Sequence, residues 1–158
     1  MRTSAHSGLW RTWAPPLIWT LAIVVMAGNP GSVTNTFSMF KWLMSRLFIL
    51  DQHSLESLHF YFRKFLHVMC YGILTVLWFR ALMASHPDRP GANKLLALAL
   101  TLLVAMTDEG RQYLSQGRSP SWWDIVLDLS GGLFFLSLST CNGARKNRLS
   151  AEAASPPP

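Results

Sequence analysis

The chain has 158 residues and a net charge of +6, with hydrophobic residues making up 50% of it and charged residues only 14%. This length fits one domain, and the charged fraction lies well below the roughly 25% that is typical of soluble domains. Because the basic residues mostly flank apolar runs, they indicate anchoring to lipid headgroups, and no soluble basic face for nucleic acid is found. The predicted fold class is all-α: a polytopic membrane helical bundle of about four transmembrane helices plus one amphipathic interfacial helix.

The first apolar run covers residues 17–27 and follows two tryptophans and a Pro-Pro pair. Together they predict a first membrane helix of about 18 residues, near the lower limit for crossing a bilayer. The segment 1–28 also fits a cleaved signal peptide, with a basic start, a short apolar stretch and small residues at its end. Both interpretations stay open.

Residues 37–50 are apolar but interrupted by Lys41 and Arg46. Lys41 forms a narrow polar face with a serine on either side, which predicts an amphipathic helix lying in the membrane interface. A second crossing is disfavoured because both basic side chains would then lie in the middle of the membrane. His53 and His59 follow in a polar stretch that we expect to be a linker, with both imidazoles solvated.

The remaining membrane helices are predicted at residues 65–84, from 95 to about 113, and 122–141. The transmembrane domain is expected to cover residues 1–143, and a disordered basic and Pro-rich tail to cover residues 144–158. Cys70 and Cys141 lie in separate apolar segments with no metal or pairing spacing, so both are expected to be free thiols.

The basic residues flanking four such helices number eight on one side and six on the other, which favours both termini in the cytoplasm. In this topology the start of the second helix, the end of the third and the start of the fourth meet at the outer face of the membrane. Polar and ionisable groups beside apolar segments are costly, so this set is a candidate functional site. Its members are Lys64, His67, Tyr71, Glu109, Gln112, Arg118, Asp124 and Asp128.

Helical spacing supports the grouping. Lys64, His67 and Tyr71 recur at i, i+3 and i+7, and Glu109, Gln112 and Gln116 do the same. Asp124, Asp128 and Gly131 share one face of the last helix, where a residue without a side chain lets a neighbouring helix approach beside the two carboxylates.

The segments KFLHVMCYGIL and DEGRQYLSQGRSPSWWDIVLDLSGG resemble the VanZ-like family. The resemblance covers residues 63–135. It departs from the family pattern at Arg63, where an acidic residue is usual, and at Asp128, where Asn is usual. The matching positions are Lys64, His67, Tyr71, Glu109, Gln112, Gly117, Arg118, Asp124 and Gly131.

The resemblance implies a small multi-helix protein of the bacterial cytoplasmic (inner) membrane with a role in the cell envelope. One founding member of the family is linked to low-level antibiotic resistance, against the glycopeptide teicoplanin. The family's biochemical activity is not implied, so the chemistry has to be argued from the residues.

The first hypothesis is a binding site for an anionic membrane lipid or a lipid-linked envelope precursor. Arg118 and Lys64 would clamp a phosphate, and Gln112 and Tyr71 would donate orienting hydrogen bonds. Glu109 and Asp124 would hold the two cations in place.

Two alternatives stay open. A lipid-linked hydrolase or transferase would use His67 or Glu109 as general base, with Arg118 stabilising developing charge. A structural role would pair Glu109 with Arg118 and Lys64 with Asp128. A metal site built from His67, Glu109, Asp124 and Asp128 matches no known ligand spacing, so neither a metal nor a cofactor is expected.

Overall fold

The computed structural model describes residues 3–26, 33–48, 51–116 and 122–154, with side chains described for residues 10–26, 35–48, 51–111 and 122–142. The described residues form five helices and no strand, which confirms the all-α prediction. The helices are α1 Thr3–Met26, α2 Val33–Met44, α3 Gln52–Ser85, α4 Pro90–Gln116 and α5 Trp122–Ala154.

Three helices of the described chain, namely α3, α4 and α5, are long and apolar enough to cross a membrane. The prediction of four transmembrane helices was therefore one too high, and the difference is α1. The apolar part of α1 after Pro15 and Pro16 has only ten residues, which extend about 15 Å against a hydrocarbon layer of about 30 Å. The cleaved-signal alternative for residues 1–28 stays a prediction.

Two indole groups attach α1 to α3. Trp13 Nε1 donates to Ser85 Oγ at 3.1 Å, and Trp19 Nε1 donates to the carbonyl oxygen of Cys70 at 3.0 Å. These contacts make α1 antiparallel to α3 and place it along the apolar half of that helix.

The expected polar linker before the second membrane helix is helical, because α3 already begins at Gln52. Asp51 caps this helix by accepting hydrogen bonds from the Ser54 backbone and hydroxyl, and these bonds hold the pKa of Asp51 below its usual value. The expectation that His59 is solvated was wrong: its side chain is buried. It lies between the rings of Phe37 and Phe40, with ring centroids at 5.2 and 5.4 Å.

The burial of His59 follows from the position of α2, which folds back against the start of α3. This helix begins four residues before the start of the predicted range 37–50 and ends six residues before the end of that range. Its outer side exposes Met39 and Trp42, and the Arg46 guanidinium lies 5.8 Å from the centroid of the Trp42 ring. An exposed apolar side with a flanking cation fits the predicted amphipathic character.

The hydrophobic core lies between α3 and α4, with α1 packed against it. Its buried hydrophobic residues are Tyr71, Leu74, Trp78, Leu82, Ala97 and Ala105. Contacts between the helices show that α3 and α5 run parallel and that α4 is antiparallel to both.

Helices α3 and α5 approach each other closely at glycines. A Cβ added to Gly131 would lie 3.0 Å from Val68 Cα and closer still to the Val68 carbonyl oxygen. A Cβ on Gly132 would lie 2.6 Å from Thr75 Oγ1. This agrees with the expectation that a helix packs tightly beside Asp124 and Asp128.

The disordered tail predicted from residue 144 is helical as far as Ala154, because α5 continues well past the apolar segment. The physical reason is composition. Residues 144–154 contain Ala, Arg, Lys, Leu and Glu, which are strong helix formers. Residues 155–158 lie outside the described part of the chain.

Candidate functional site

One face of α3 carries a line of polar side chains. Lys64, His67, Tyr71 and Thr75 recur at i, i+3, i+7 and i+11, so they lie almost above one another along about 16 Å of helix. Each of them has a polar partner on α4 or α5. We call the eight side chains of these four pairs the polar ladder: Lys64–Asp124, His67–Asp128, Tyr71–Asp108 and Thr75–Thr101.

The outermost rung is the ion pair between Lys64 Nζ and Asp124 Oδ1, which joins α3 to the first turn of α5. The same ammonium group lies 5.4 Å from the centroid of the Phe60 ring, one turn earlier on α3. A carboxylate and an aromatic face therefore hold Lys64 from two sides. An ammonium has three N–H donors, so this ion pair does not use its full capacity.

The second rung joins His67 to Asp128. His67 Nδ1 lies 3.2 Å from Asp128 Oδ1. Because a carboxylate oxygen accepts hydrogen bonds, Nδ1 is the donor, and Nε2 is left without a partner among the described residues. The carboxylate fixes the orientation of the imidazole, and the Tyr71 ring stacks beside it with centroids 6.0 Å apart.

The third rung lies in the core. The Tyr71 hydroxyl donates to Asp108 Oδ2 at 2.7 Å, and both side chains are buried. A phenol has one proton to give, so the predicted role of Tyr71 as a donor to a ligand is not available in this arrangement. Asp108 Oδ1 is also buried and has no hydrogen-bond partner among the described side chains.

The fourth rung is uncharged. Thr75 Oγ1 and Thr101 Oγ1 lie 2.9 Å apart, so one hydroxyl donates to the other, and the accepting hydroxyl keeps its own proton for a carbonyl oxygen of its helix. The ladder therefore passes from an ion pair at one end of the bundle to a pair of hydroxyls in its interior. This order is the one that costs least as the surroundings become more apolar.

The burial of the two outer rungs is unequal. The side chains of Lys64 and His67 are 26% and 22% exposed, whereas those of their partners Asp124 and Asp128 are 14% and 4% exposed. Lys64 and His67 thus lie nearer the protein surface than the two carboxylates with which they pair.

The VanZ/LLP1 family model matches residues 13–141, which is most of the chain. The chain belongs to the VanZ/LLP1 family. Neither a search of curated proteins nor a search of solved structures found a match. The matched range includes α2 and most of α1, which carry no recognisable motif, so these helices belong to the family unit along with residues 63–135. With its three membrane-competent helices, this VanZ/LLP1 protein is a membrane protein.

The two positions at which this VanZ/LLP1 chain departs from the family pattern, Arg63 and Asp128, have different surroundings. Asp128, in place of the usual Asn, is the hydrogen-bond acceptor for His67. Arg63, in place of the usual acidic residue, donates a hydrogen bond from Nη1 to Thr36 Oγ1 at 2.8 Å. This bond joins α3 to α2.

The polar ladder brings together five of the eight predicted site residues, namely Lys64, His67, Tyr71, Asp124 and Asp128. Glu109 lies beside Asp108 on α4 and is half-buried. Gln112 is on α4 but its side chain lies outside the described set, and Arg118 lies outside the described residues altogether. The predicted pair Lys64–Asp128 was wrong, because Lys64 forms its ion pair with Asp124 and Asp128 contacts His67.

Thr75, Thr101 and Asp108 are the ladder residues for which the sequence predicted no role, and Asp108 is the ionisable one among them. A signal for it exists: Ala97, Thr101 and Ala105 recur at i, i+4 and i+8, and Asp108 continues this face of α4. Small residues at this spacing mark the side of a membrane helix that packs against a neighbour. All four residues are buried.

In the described part of the chain, no group of three or more His, Cys, Asp or Glu side chains is arranged to hold a metal ion. Cys70 and Cys141 are free cysteines, the first half-buried and the second exposed.

Proposed function

We propose that the outer end of the polar ladder binds the phosphate group of an anionic membrane lipid or lipid-linked cell-envelope precursor. The observation that carries the proposal is the burial order of the outer rungs: Lys64 and His67 are partly exposed, and the carboxylates behind them are more buried. A phosphate approaching this end meets nitrogen-bearing groups first.

Within this site Lys64 is the principal contact. Asp124 and Phe60 fix its ammonium group, which keeps further N–H donors for a phosphate oxygen. As an imidazolium, His67 would donate from Nε2 to a phosphate oxygen as the second contact, while Nδ1 donates to Asp128. Tyr71 and Asp108 support His67 from below instead of touching the ligand. Arg118 and Gln112 are proposed, from the sequence, as additional donors.

In the cell, we propose that this protein of the bacterial inner membrane modulates an envelope lipid and so contributes to tolerance of teicoplanin-type glycopeptides. The family resemblance supports this role.

Lys64→Gln is expected to lose the bound lipid, because it removes the positive charge and one of the three N–H donors of this side chain. The test is to purify both proteins in a mild detergent and compare the retained lipids by mass spectrometry. Lys94→Gln is the matched control, since it removes one positive charge from the opposite end of the bundle, at the start of α4. A folded Lys64→Gln protein that retains the same anionic lipids as the wild type would contradict the proposal.

A second candidate function is an acid–base reaction on the same lipid. The contact that favours it is His67–Asp128, because a carboxylate on Nδ1 orients the imidazole so that Nε2 can accept a proton. Glu109 is the alternative base.

Asp128→Asn distinguishes the two functions. An amide still accepts a hydrogen bond from Nδ1 through its oxygen but loses the negative charge that stabilises an imidazolium. For an enzyme, turnover per molecule of retained lipid should fall by about 10²-fold or more. For a binding protein, no lipid turnover is detected in either protein. Turnover that is equal in the wild type and the variant would exclude the His67–Asp128 pair as the acid–base group.

A purely structural role for Lys64–Asp124 predicts a different pattern. If the pair only stabilises packing, then Lys64→Gln and Asp124→Asn should each lower the melting temperature and the double variant should recover part of the loss. Lipid retention should then follow the melting temperature. Loss of lipid in a double variant of recovered stability would support the binding site.

A further inference from the structure

The outer end of the polar ladder is bordered by large apolar side chains on both helices that form it. On α3 these lie one turn before Lys64 and beside it, and on α5 they flank Asp124. All six are between 52% and 82% exposed. We call them the apolar rim: Phe60, Tyr61, Phe65, Trp122, Trp123 and Val126.

Such a border is costly in water. An opening that admits ligands from water is expected to be surrounded by polar surface, whereas six exposed apolar side chains at the level of one ion pair mark contact with a membrane. Three of the six are Trp or Tyr, whose amphipathic rings favour the boundary between headgroups and hydrocarbon. Phe60 also lies against the Lys64 ammonium, so the rim and the charged group are in direct contact.

The burial of the rest of the polar ladder agrees with a boundary between headgroups and hydrocarbon at the level of Lys64. Tyr71 lies about 10 Å further along α3 than Lys64 and is only 1% exposed. Beyond the rim in the same direction, the exposed side chains of α5 include Leu133 and Phe134, which are suited to acyl chains. The polar opening therefore lies at the level where the headgroup of a lipid would be, with an apolar surface below it.

We propose that this site opens sideways onto the headgroup layer of one leaflet, so that its ligand is a membrane-resident lipid phosphate that arrives by lateral diffusion. This inference rests on the proposed function and deepens it, because it assigns the route by which the lipid reaches the site. The lipid keeps its chains on the apolar surface of α3 and α5 while its phosphate contacts Lys64.

The first part of the test compares three probes on the full chain in detergent: inorganic phosphate, glycerol phosphate and long-chain phosphatidic acid. Each methylene buried on binding is expected to increase affinity about fourfold, so phosphatidic acid should bind at least about a hundredfold more tightly than glycerol phosphate. Competition by glycerol phosphate at similar concentrations would overturn lateral entry and leave the phosphate site intact. If none of the three probes binds, both the inference and the proposed function fail.

The second part tests the rim itself. Tyr61→Ala and Trp123→Ala are expected to weaken phosphatidic acid binding several-fold without changing the weak binding of glycerol phosphate. Trp10→Ala is the matched control, because Trp10 is 70% exposed and lies at the other end of the bundle. Equal effects of Trp10→Ala and Trp123→Ala would contradict a rim that serves this site.

The third part measures depth. In bilayers, fluorescence of Trp122 and Trp123, obtained by difference from a Trp122→Phe/Trp123→Phe protein, should be quenched by lipids brominated near the headgroup. Quenching by an aqueous quencher alone would place the opening in water and overturn the inference.

Discussion

Gly131→Ala is expected to destabilise the protein by about 3 kcal/mol, the upper end of the usual cost of overpacking. The added Cβ would overlap the backbone of Val68 on α3, with Val68 Cα at 3.0 Å and its carbonyl oxygen nearer. Helix backbone cannot rotate away as the end of a side chain can, so α3 and α5 would have to separate. The free energy of unfolding in detergent, measured by denaturant titration, tests this.

Separation of α3 and α5 should also change the geometry of the polar ladder. Asp128 lies on the turn before Gly131, and Val68 follows His67 directly, so a shift at this crossing lengthens the His67–Asp128 contact. Lipid retention should therefore decrease together with stability. Gly110→Ala is the control, because no heavy atom lies within 4 Å of the added Cβ on α4. It should be neutral, or stabilising by up to about 1 kcal/mol. Equal effects of the two substitutions would contradict the close crossing.

Tyr71→Phe is expected to cost about 2–3 kcal/mol in the free energy of unfolding, because it removes the donor to a buried carboxylate. Asp108 Oδ2 would lose its hydrogen bond, and Oδ1 already has no partner among the described side chains. The measurement is again denaturant titration in detergent. Tyr61→Phe is the matched control: it removes the same hydroxyl from a side chain that is 69% exposed, and should have no effect.

The reason for this cost can be tested separately. If the loss of stability comes from a buried carboxylate without a hydrogen-bond donor, then adding Asp108→Asn to Tyr71→Phe should recover part of the free energy of unfolding. A neutral amide is less costly to bury than a charged group. A double variant that is less stable than Tyr71→Phe would show that Asp108 has a further stabilising contact.

The sequence could predict the face of each helix that forms the site. Lys64, His67 and Tyr71 follow helical spacing, and alternating helix directions bring the start of α3, the end of α4 and the start of α5 together. The partners could not be predicted. Whether Lys64 meets Asp124 or Asp128 depends on an offset of one turn between two parallel helices, and periodicity does not determine that offset.

Helix ends were the other part that the sequence could not settle. The stretch from Gln52 to His59 contains polar residues typical of a loop, yet Leu55, His59 and Phe62 lie at i, i+4 and i+7 and face α2. Asp51 caps the start of this helix, and the return of α2 onto this face buries His59. A tertiary contact of this kind overrides local composition.

The most direct test of the central claim, that Lys64 binds a lipid phosphate, is a solid-state NMR distance between the lysine side-chain nitrogen and lipid phosphorus. The protein is labelled at its lysine nitrogens and purified in a detergent without phosphorus, so that only retained lipid contributes. We predict one lysine nitrogen within about 4 Å of phosphorus, and loss of that signal in Lys64→Arg. A lysine–phosphorus contact that persists in Lys64→Arg, or retained lipid with no lysine contact, would contradict the account.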